Sequence, residues 1–370
     1  MVLRAKTTNL LQTKTLTEKQ RKNSELNTGE SKEGNTVLQS YPRRVILELT
    51  NACNLKCLMC GRDESEFNNR FFDLSYLKKL DTVLEHAEEV TLFGWGEPTI
   101  HPKFVDLLKY MDRFPVRKYF VTNGTRLKKL KNAIFDYNVD IIAISLDGAS
   151  ALTNDRIRVG ASYEEIITGL SSIVEEKNRR KSSFPYMNFV FTVMQSNIHE
   201  LPEMIKLAAR IGLEEVKVVY LTVFSESLLH ESLWDSSSEV KDVFDEAVRL
   251  SEELGIKIKL PYLQGEDVAG QQYHKDCFVG WRDFFLGSDG YVRPCQSTAM
   301  KLFSDNRYST FEEMWNSAEY QDFRGRVNAH DSMPEECKRC YQSSHANWNK
   351  KESFIQTGEA FAPEWEKKKS

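Results

Sequence analysis

From Arg44 onward the chain alternates two rhythms of apolar and polar positions. Short runs rich in β-branched and aromatic residues recur at 45–50, 90–93, 118–122, 141–146, 187–194 and 216–221, and these predict strands. Between them apolar residues return every three or four positions, the period of a helix with one buried face. Asp73 or Ser75 can cap a helix whose apolar face is Leu74, Leu77, Leu80 and Leu84. A second helix uses Ile166, Ile167, Leu170, Ile173 and Val174. A third starts near Leu201 and stops at Gly212, and a fourth runs from about residue 238 to Leu254 and stops at Gly255. Strands alternating with helices predict parallel βα units, hence an α/β fold.

The flanks read differently. Residues 1–43 are polar, and up to Asn23 carry Arg4, Lys6, Lys14, Lys19, Arg21 and Lys22 against one acid, Glu18. Such a stretch has too little apolar surface to order itself, so it reads as a flexible tail or a docking segment for a partner. The βα pattern fills 44–262. Residues 263–345 form a smaller α+β module. In it Asp289-Gly290, flanked by Phe284, Phe285, Tyr291 and Val292, predicts a hairpin with a two-residue type I′ turn. A helical stretch follows from about Thr310, with Phe311, Met314, Trp315, Tyr320 and Phe323. The tail, 346–370, sets Phe354, Ile355, Phe361 and Trp365 among charges and either packs back or frays.

Bulk charge adds little. At 370 residues with net charge −4, there is no electrostatic case for a nucleic-acid partner. No run of 18 apolar residues predicts a membrane span, and no apolar stretch near the N-terminus predicts a secretory signal. A reducing cytoplasm is the expected compartment.

Cysteine changes the picture most. The seven are Cys53, Cys57, Cys60, Cys277, Cys295, Cys337 and Cys340. An odd number disfavours a simple disulfide framework. The first three follow the first strand as C-x3-C-x2-C, and three clustered thiols suit a soft metal centre. A structural zinc site closes with four ligands, whereas three cysteines on a [4Fe–4S] cubane leave one iron open. The other four fit a closed centre: the hairpin brings the region of Cys277 toward Cys295, and Cys337-Lys338-Arg339-Cys340 supplies a C-x2-C pair. A zinc loop completed by a distant histidine, or a four-cysteine zinc ribbon, are the alternatives.

Polar motifs stand where the predicted strands end. Gly94-Trp95-Gly96-Glu97-Pro98 follows the second, Thr122-Asn123-Gly124 ends the third, and Ser145-Leu146-Asp147-Gly148 ends the fourth. Each alone reads equally as turn or cap chemistry. The loop 222–237, with His230, Glu231, Trp234 and Asp235, is long for a βα connection and is either a substrate wall or packed surface. His230 by itself reads as polar surface.

Taken together, the cysteine loop and these motifs resemble the radical S-adenosylmethionine (SAM) superfamily, over roughly residues 44–342. The resemblance implies a partial (β/α)6 TIM-like barrel. It implies that Cys53, Cys57 and Cys60 hold a [4Fe–4S] cluster whose open iron chelates SAM. One electron then yields a 5′-deoxyadenosyl radical that takes a substrate hydrogen atom. SAM contacts are expected from Met59, Gly94, Gly96, Glu97, Pro98, Thr122, Asn123, Ser145, Asp147 and Arg158, with glycines permitting close approach. Arg156 is an alternative to Arg158, and Asn197 a further candidate. The C-terminal module resembles a SPASM domain in its shortened twitch form, implying that Cys277, Cys295, Cys337 and Cys340 hold one auxiliary [4Fe–4S] cluster.

Two [4Fe–4S] clusters and SAM are thus the expected cofactors, and flavodoxin or ferredoxin the expected electron donor. The leading expectation is net oxidation of a small molecule, with the auxiliary cluster accepting the electron. The alternative is maturation of a ribosomally made peptide. Epimerisation would need a hydrogen-atom donor, often a free cysteine, and all seven are assigned. A non-catalytic iron–sulfur or zinc protein is the reading from outside this chemistry.

Overall fold

The computed structural model describes residues 15–62, 69–265, 276–295, 300–329, 331–338, 351 and 354–355. Six parallel strands follow the predicted runs: β1 (Arg44–Leu47), β2 (Glu89–Leu92), β3 (Arg117–Thr122), β4 (Ile141–Ser145), β5 (Tyr186–Val193) and β6 (Glu215–Tyr220). A short β7 (Lys257–Lys259), not expected from its charged sequence, extends the sheet beside β6. Residues pointing outward, such as Val45, Leu92, Phe120, Ile142, Phe189 and Val218, pack beneath the helices as one buried core. Those pointing inward, including Tyr119, Ile141, Ala143, Tyr186 and Val190, form a second cluster inside the curved sheet. The two faces explain the near-continuous apolar runs, since a parallel strand is buried on both sides.

The connecting helices begin and end where caps predict. Asp73 accepts from the Ser75 N–H at 2.9 Å, opening a 3-10 turn that continues as the helix Asp81–His86. Ser162 caps Tyr163–Arg179. Gly212 and Gly255, with φ of 95° and 68°, end their helices in the left-handed region.

Three features depart from expectation. First, the sheet does not stop at the expected module boundary. Strand β8 (Asp283–Leu286) pairs in parallel with β1 on the side away from β2, followed by antiparallel β9 (Tyr291–Arg293) and β10 (Phe303–Ser304), giving a ten-stranded sheet. Arg44 grips Asp283 with two hydrogen bonds, 3.1 and 2.8 Å, across that junction.

Second, the hairpin turn is longer than a type I′ pair. Gly290 N–H donates to Gly287 O, Gly287 N–H donates to Tyr291 O, and Gly290 alone takes positive φ, 76°. Asp289 need not be left-handed, because its carboxylate accepts from Tyr291 N–H at 3.1 Å.

Third, residues 18–33 are not a flexible tail. They form a helix, Glu18–Glu33, with a capping box at Thr17 and Gly34 at its end. Its buried stripe is Gln20, Asn23, Asn27 and Glu30, polar throughout. Gln20 donates to Ala87 O (2.7 Å), Asn23 to Tyr41 O (3.1 Å) and Asn27 to Trp281 O (2.8 Å). The helix is held by side-chain amides satisfying backbone carbonyls of other segments, so an apolar-periodicity reading passes over it. Residues 1–14 lie outside the described residues.

The expected helix after Thr310 is two: Phe311–Trp315, with a Thr310–Glu313 capping box, and Ala318–Arg326, capped by Ser317. Phe284, Phe311, Trp315 and Tyr320 pack there as an aromatic cluster.

Candidate cofactor site

The C-terminal ends of β1–β6 and the turn after β8 share one rim, where the loops of a βα barrel carry chemistry. The cysteine loop leaves β1 here. It is braced by Arg70 N–H donating to Asn51 Oδ1 (2.7 Å) and by Glu97 N–H donating to Ala52 O (2.8 Å). A two-residue antiparallel ladder pairs Lys56 with Val159 and Cys57 with Arg158. Cys53 and Cys57 are half-buried and Cys60 is exposed.

Among the described residues no three His, Cys, Asp or Glu side chains close on a single metal ion. The donor set nonetheless suits an iron–sulfur cluster. Three thiols are presented, and N–H groups already face two of them. Leu55 N–H and Asn123 Nδ2 approach Cys53 Sγ at 3.4 and 3.9 Å, and Arg158 Nη1 approaches Cys57 Sγ at 3.8 Å. Such N–H groups stabilise charge on cluster sulfurs and tune the potential. Burial pushes the Cys57 thiol up to about 11, against the pull of the Arg158 guanidinium, and burial raises Cys53 as well. Thiolates form there once a cation is bound.

The expected SAM-contact residues divide into two groups. Met59 and Ser145 are half-buried, and Asn123 turns its side-chain amide to Asn54 Oδ1 (2.9 Å) and toward Cys53. Glu97 and Asp147 are buried and positioned to orient others. Glu97 Oε1 accepts from Thr99 N–H (3.1 Å) and Thr122 Oγ1 (2.7 Å), and Oε2 from Asn123 N–H (2.7 Å). Pro98 is buried at the start of the following 3-10 turn. Asp147 pairs with Arg158 at 2.7 Å and accepts from Thr192 N–H at 2.7 Å, aiming the guanidinium toward Cys57. Arg156 is exposed on the surface. Asn197 is buried, with Nδ2 on Asp147 O (3.1 Å) and Thr192 O (3.0 Å), and acts as scaffold. His230 is exposed, as expected.

The glycines serve packing between loops. A Cβ on Gly96 would stand 2.2 Å from Ala52 O, and one on Gly94 2.3 Å from Glu48 Cγ. Glu48 itself escaped the sequence reading. Its buried carboxylate accepts from Trp95 N–H (2.8 Å) and Ser288 Oγ (2.7 Å), joining β1, the 94–98 turn and the hairpin turn. An acid in the otherwise apolar run Leu47–Leu49 was the available signal.

The second cysteine set is assembled from separate elements. Cys277 is clamped by Asn328, whose Oδ1 accepts the Cys277 N–H (2.8 Å) and whose Nδ2 donates to Cys277 O (3.0 Å). Cys295 follows β9, and Cys337 N–H donates to Pro334 O (2.9 Å). All three are half-buried. Cys340 lies outside the described residues.

Comparison with known proteins agrees with this layout. A family model described as the radical SAM superfamily matches residues 47–208, and one described as an iron–sulfur cluster-binding domain, SPASM, matches residues 277–341. The chain is 25% identical over 304 residues to a tungsten-containing aldehyde ferredoxin oxidoreductase cofactor-modifying protein of Pyrococcus furiosus, covering 75% of this chain and 82% of the relative. It is 28% identical over 322 residues to a PqqA peptide cyclase of Gluconobacter oxydans, covering 82% and 84%. Among solved structures it is similar in fold to Streptococcus suis SuiB bound to its precursor peptide SuiA, with TM-score 0.60, 14% identity and coverage of 92% and 80%.

Proposed function

The chain belongs to the radical SAM superfamily and carries a C-terminal SPASM iron–sulfur domain, and from that premise we propose that it modifies a peptide. It is an enzyme whose cofactors are [4Fe–4S] clusters and SAM. When bound, these supply a 5′-deoxyadenosyl radical able to take a hydrogen atom from an unactivated C–H bond.

In this reading Cys53, Cys57 and Cys60 hold the SAM-cleaving cluster, and Cys277, Cys295, Cys337 and Cys340 hold an auxiliary one. Asn123 and Arg158 stabilise sulfur charge. Glu97 fixes the Thr122–Asn123 strand end, and Asp147 holds Arg158 in place, so the polar rim is preorganised before any ligand arrives. Ser145 and Met59 face the ligand side. A low-potential carrier such as flavodoxin or ferredoxin supplies the electron. Among the described residues no helix is long and apolar enough to cross a membrane.

The choice of a peptide over a small molecule is carried by one observation. The likeness to a peptide cyclase covers 82% of this chain and 84% of the relative. That supports the peptide alternative better than small-molecule oxidation, the leading expectation from the sequence. The test uses anaerobically reconstituted enzyme, SAM, dithionite and any short peptide encoded beside it. A peptide mass change dependent on SAM is expected. SAM consumption with every such peptide unchanged contradicts the reading.

A further inference from the structure

One buried carboxylate at the hairpin turn draws three cations. Asp289 is satisfied by Arg293 alone, with Nη1 on Oδ1 at 2.9 Å and Nη2 on Oδ2 at 2.7 Å. Two more converge on the same Oδ2: Lys301 Nζ at 3.5 Å and Arg70 Nη1 at 3.8 Å. Both side chains are partly exposed, whereas those of Asp289 and Arg293 are buried. Arg70 is past hydrogen-bond reach of Asp289, and its guanidinium makes no hydrogen bond among the described residues.

The group stands between the two cysteine sets. Phe284 and Leu286 belong to the outer core, so Phe285 and its cross-strand partner Arg293 face the concave side of the sheet. Arg70 comes from the cysteine-loop side: its N–H donates to Asn51 Oδ1 (2.7 Å), two residues before Cys53. Asp289 lies six residues before Cys295.

A structural role needs no more than the Asp289–Arg293 pair. The neighbouring acids are committed elsewhere: Glu48 accepts from Trp95 N–H, Ser288 N–H and Ser288 Oγ, and Asp305 from the Tyr76 hydroxyl. Burial lowers the Lys301 ammonium below the ordinary lysine range; Asp289 opposes this, and the Arg293 and Arg70 charges add to it. An incoming anion would relieve that repulsion. A guanidinium and an ammonium aimed at one point suit a carboxylate, which accepts from both at once. We propose that Arg70 and Lys301 bind a carboxylate of the peptide substrate, from an Asp or Glu side chain or a free C-terminus, with Asp289 and Arg293 fixing their positions. The proposal rests on the peptide reading above and gives that substrate its charge.

The test measures fluorescence anisotropy of rhodamine-labelled peptides on full-length, anaerobically reconstituted enzyme, at physiological salt to screen surface charge. The probes are tetraglutamate amide, tetraglutamine with a free C-terminus, and tetraglutamine amide, which has no carboxylate. At least one carboxylate peptide should bind tenfold or more above the amide control, and the tighter of the two identifies the source. Arg70→Gln and Lys301→Gln, on separate segments, should each remove most of that preference, the scale for one charge-assisted hydrogen bond. Lys206→Gln, an exposed cation on the helix Leu201–Ile211, should match wild type. Equal binding of all three peptides overturns the proposal, as does wild-type selectivity in both Arg70→Gln and Lys301→Gln. So does loss of iron together with selectivity in both, which would make the cations only braces. Carboxylate selectivity in an enzyme that leaves every neighbouring peptide unmodified would keep this site and overturn the peptide reading instead.

Discussion

The two cysteine sets solve one ligation problem over very different lengths of chain. Cys53, Cys57 and Cys60 lie on a single loop, and its supports come from the ends of neighbouring strands: Glu97, Asn123, Asp147 and Arg158. Cys277, Cys295 and Cys337 come from three separate stretches: before the helical turn Val279–Arg282, after β9, and beyond the helix Ala318–Arg326. The loop is held in shape by hydrogen bonds that need no metal. In the auxiliary set, Asn328 clamps the backbone of Cys277. On the proposed ligation, the barrel shapes the loop site, whereas the auxiliary thiols, spread along the chain, are joined by what they bind.

The largest effect that would break this comparison comes from the thiols. Cys53→Ala is expected to reduce 5′-deoxyadenosine formation to background, whereas Cys337→Ala should keep SAM cleavage and lose modified product. Equal loss in both would mean the two sites are not separable. Chelating the iron should next make residues near 277–341 far more sensitive to protease than the barrel, read by mass spectrometry of the fragments. Uniform protection would contradict the contrast.

Orientation within the loop site gives a smaller effect. Asp147→Asn removes the charge holding Arg158, and SAM cleavage should fall roughly 10–100-fold, the range for partners that orient metal-site residues. The loop cluster's midpoint potential should also move, because a cation near Cys57 favours the reduced form. An unchanged potential would make the pair purely structural.

The polar N-terminal helix offers a stability test. Asn27→Ala strips the hydrogen bond from Trp281 O and is expected to cost about 1–3 kcal/mol in urea unfolding. A further expected effect is pH-dependent. Burial pushes the Lys217 ammonium down to about 7, with Lys259 adding to it. Unfolded, this lysine holds its proton up to about pH 10. Between those values the unfolded chain binds the extra proton, so stability should rise with pH by about 1 kcal/mol per unit. Lys217→Met should flatten that slope.

Legibility followed locality. The strands, the cap at Asp73, the stops at Gly212 and Gly255 and the cysteine loop are set by neighbours in sequence. What escaped depends on distant partners. The helix Glu18–Glu33 buries amides against carbonyls of other segments, and β8 is placed by pairing with a strand some 240 residues earlier, as Arg44↔Asp283 shows. Glu48 is explained only by Trp95 and Ser288. Glu97 and Asp147 were legible as candidates, but their bonds to Asn123 and Arg158 needed the fold.

The central claim is that the Cys53–Cys60 loop holds a cluster that cleaves SAM. Its most direct measurement is 5′-deoxyadenosine and methionine formed from SAM under dithionite by anaerobically reconstituted enzyme, alongside iron counted per chain. The account predicts about eight irons and both products in wild type, with neither product from Cys53→Ala. A folded, iron-loaded wild type that leaves SAM intact would contradict it.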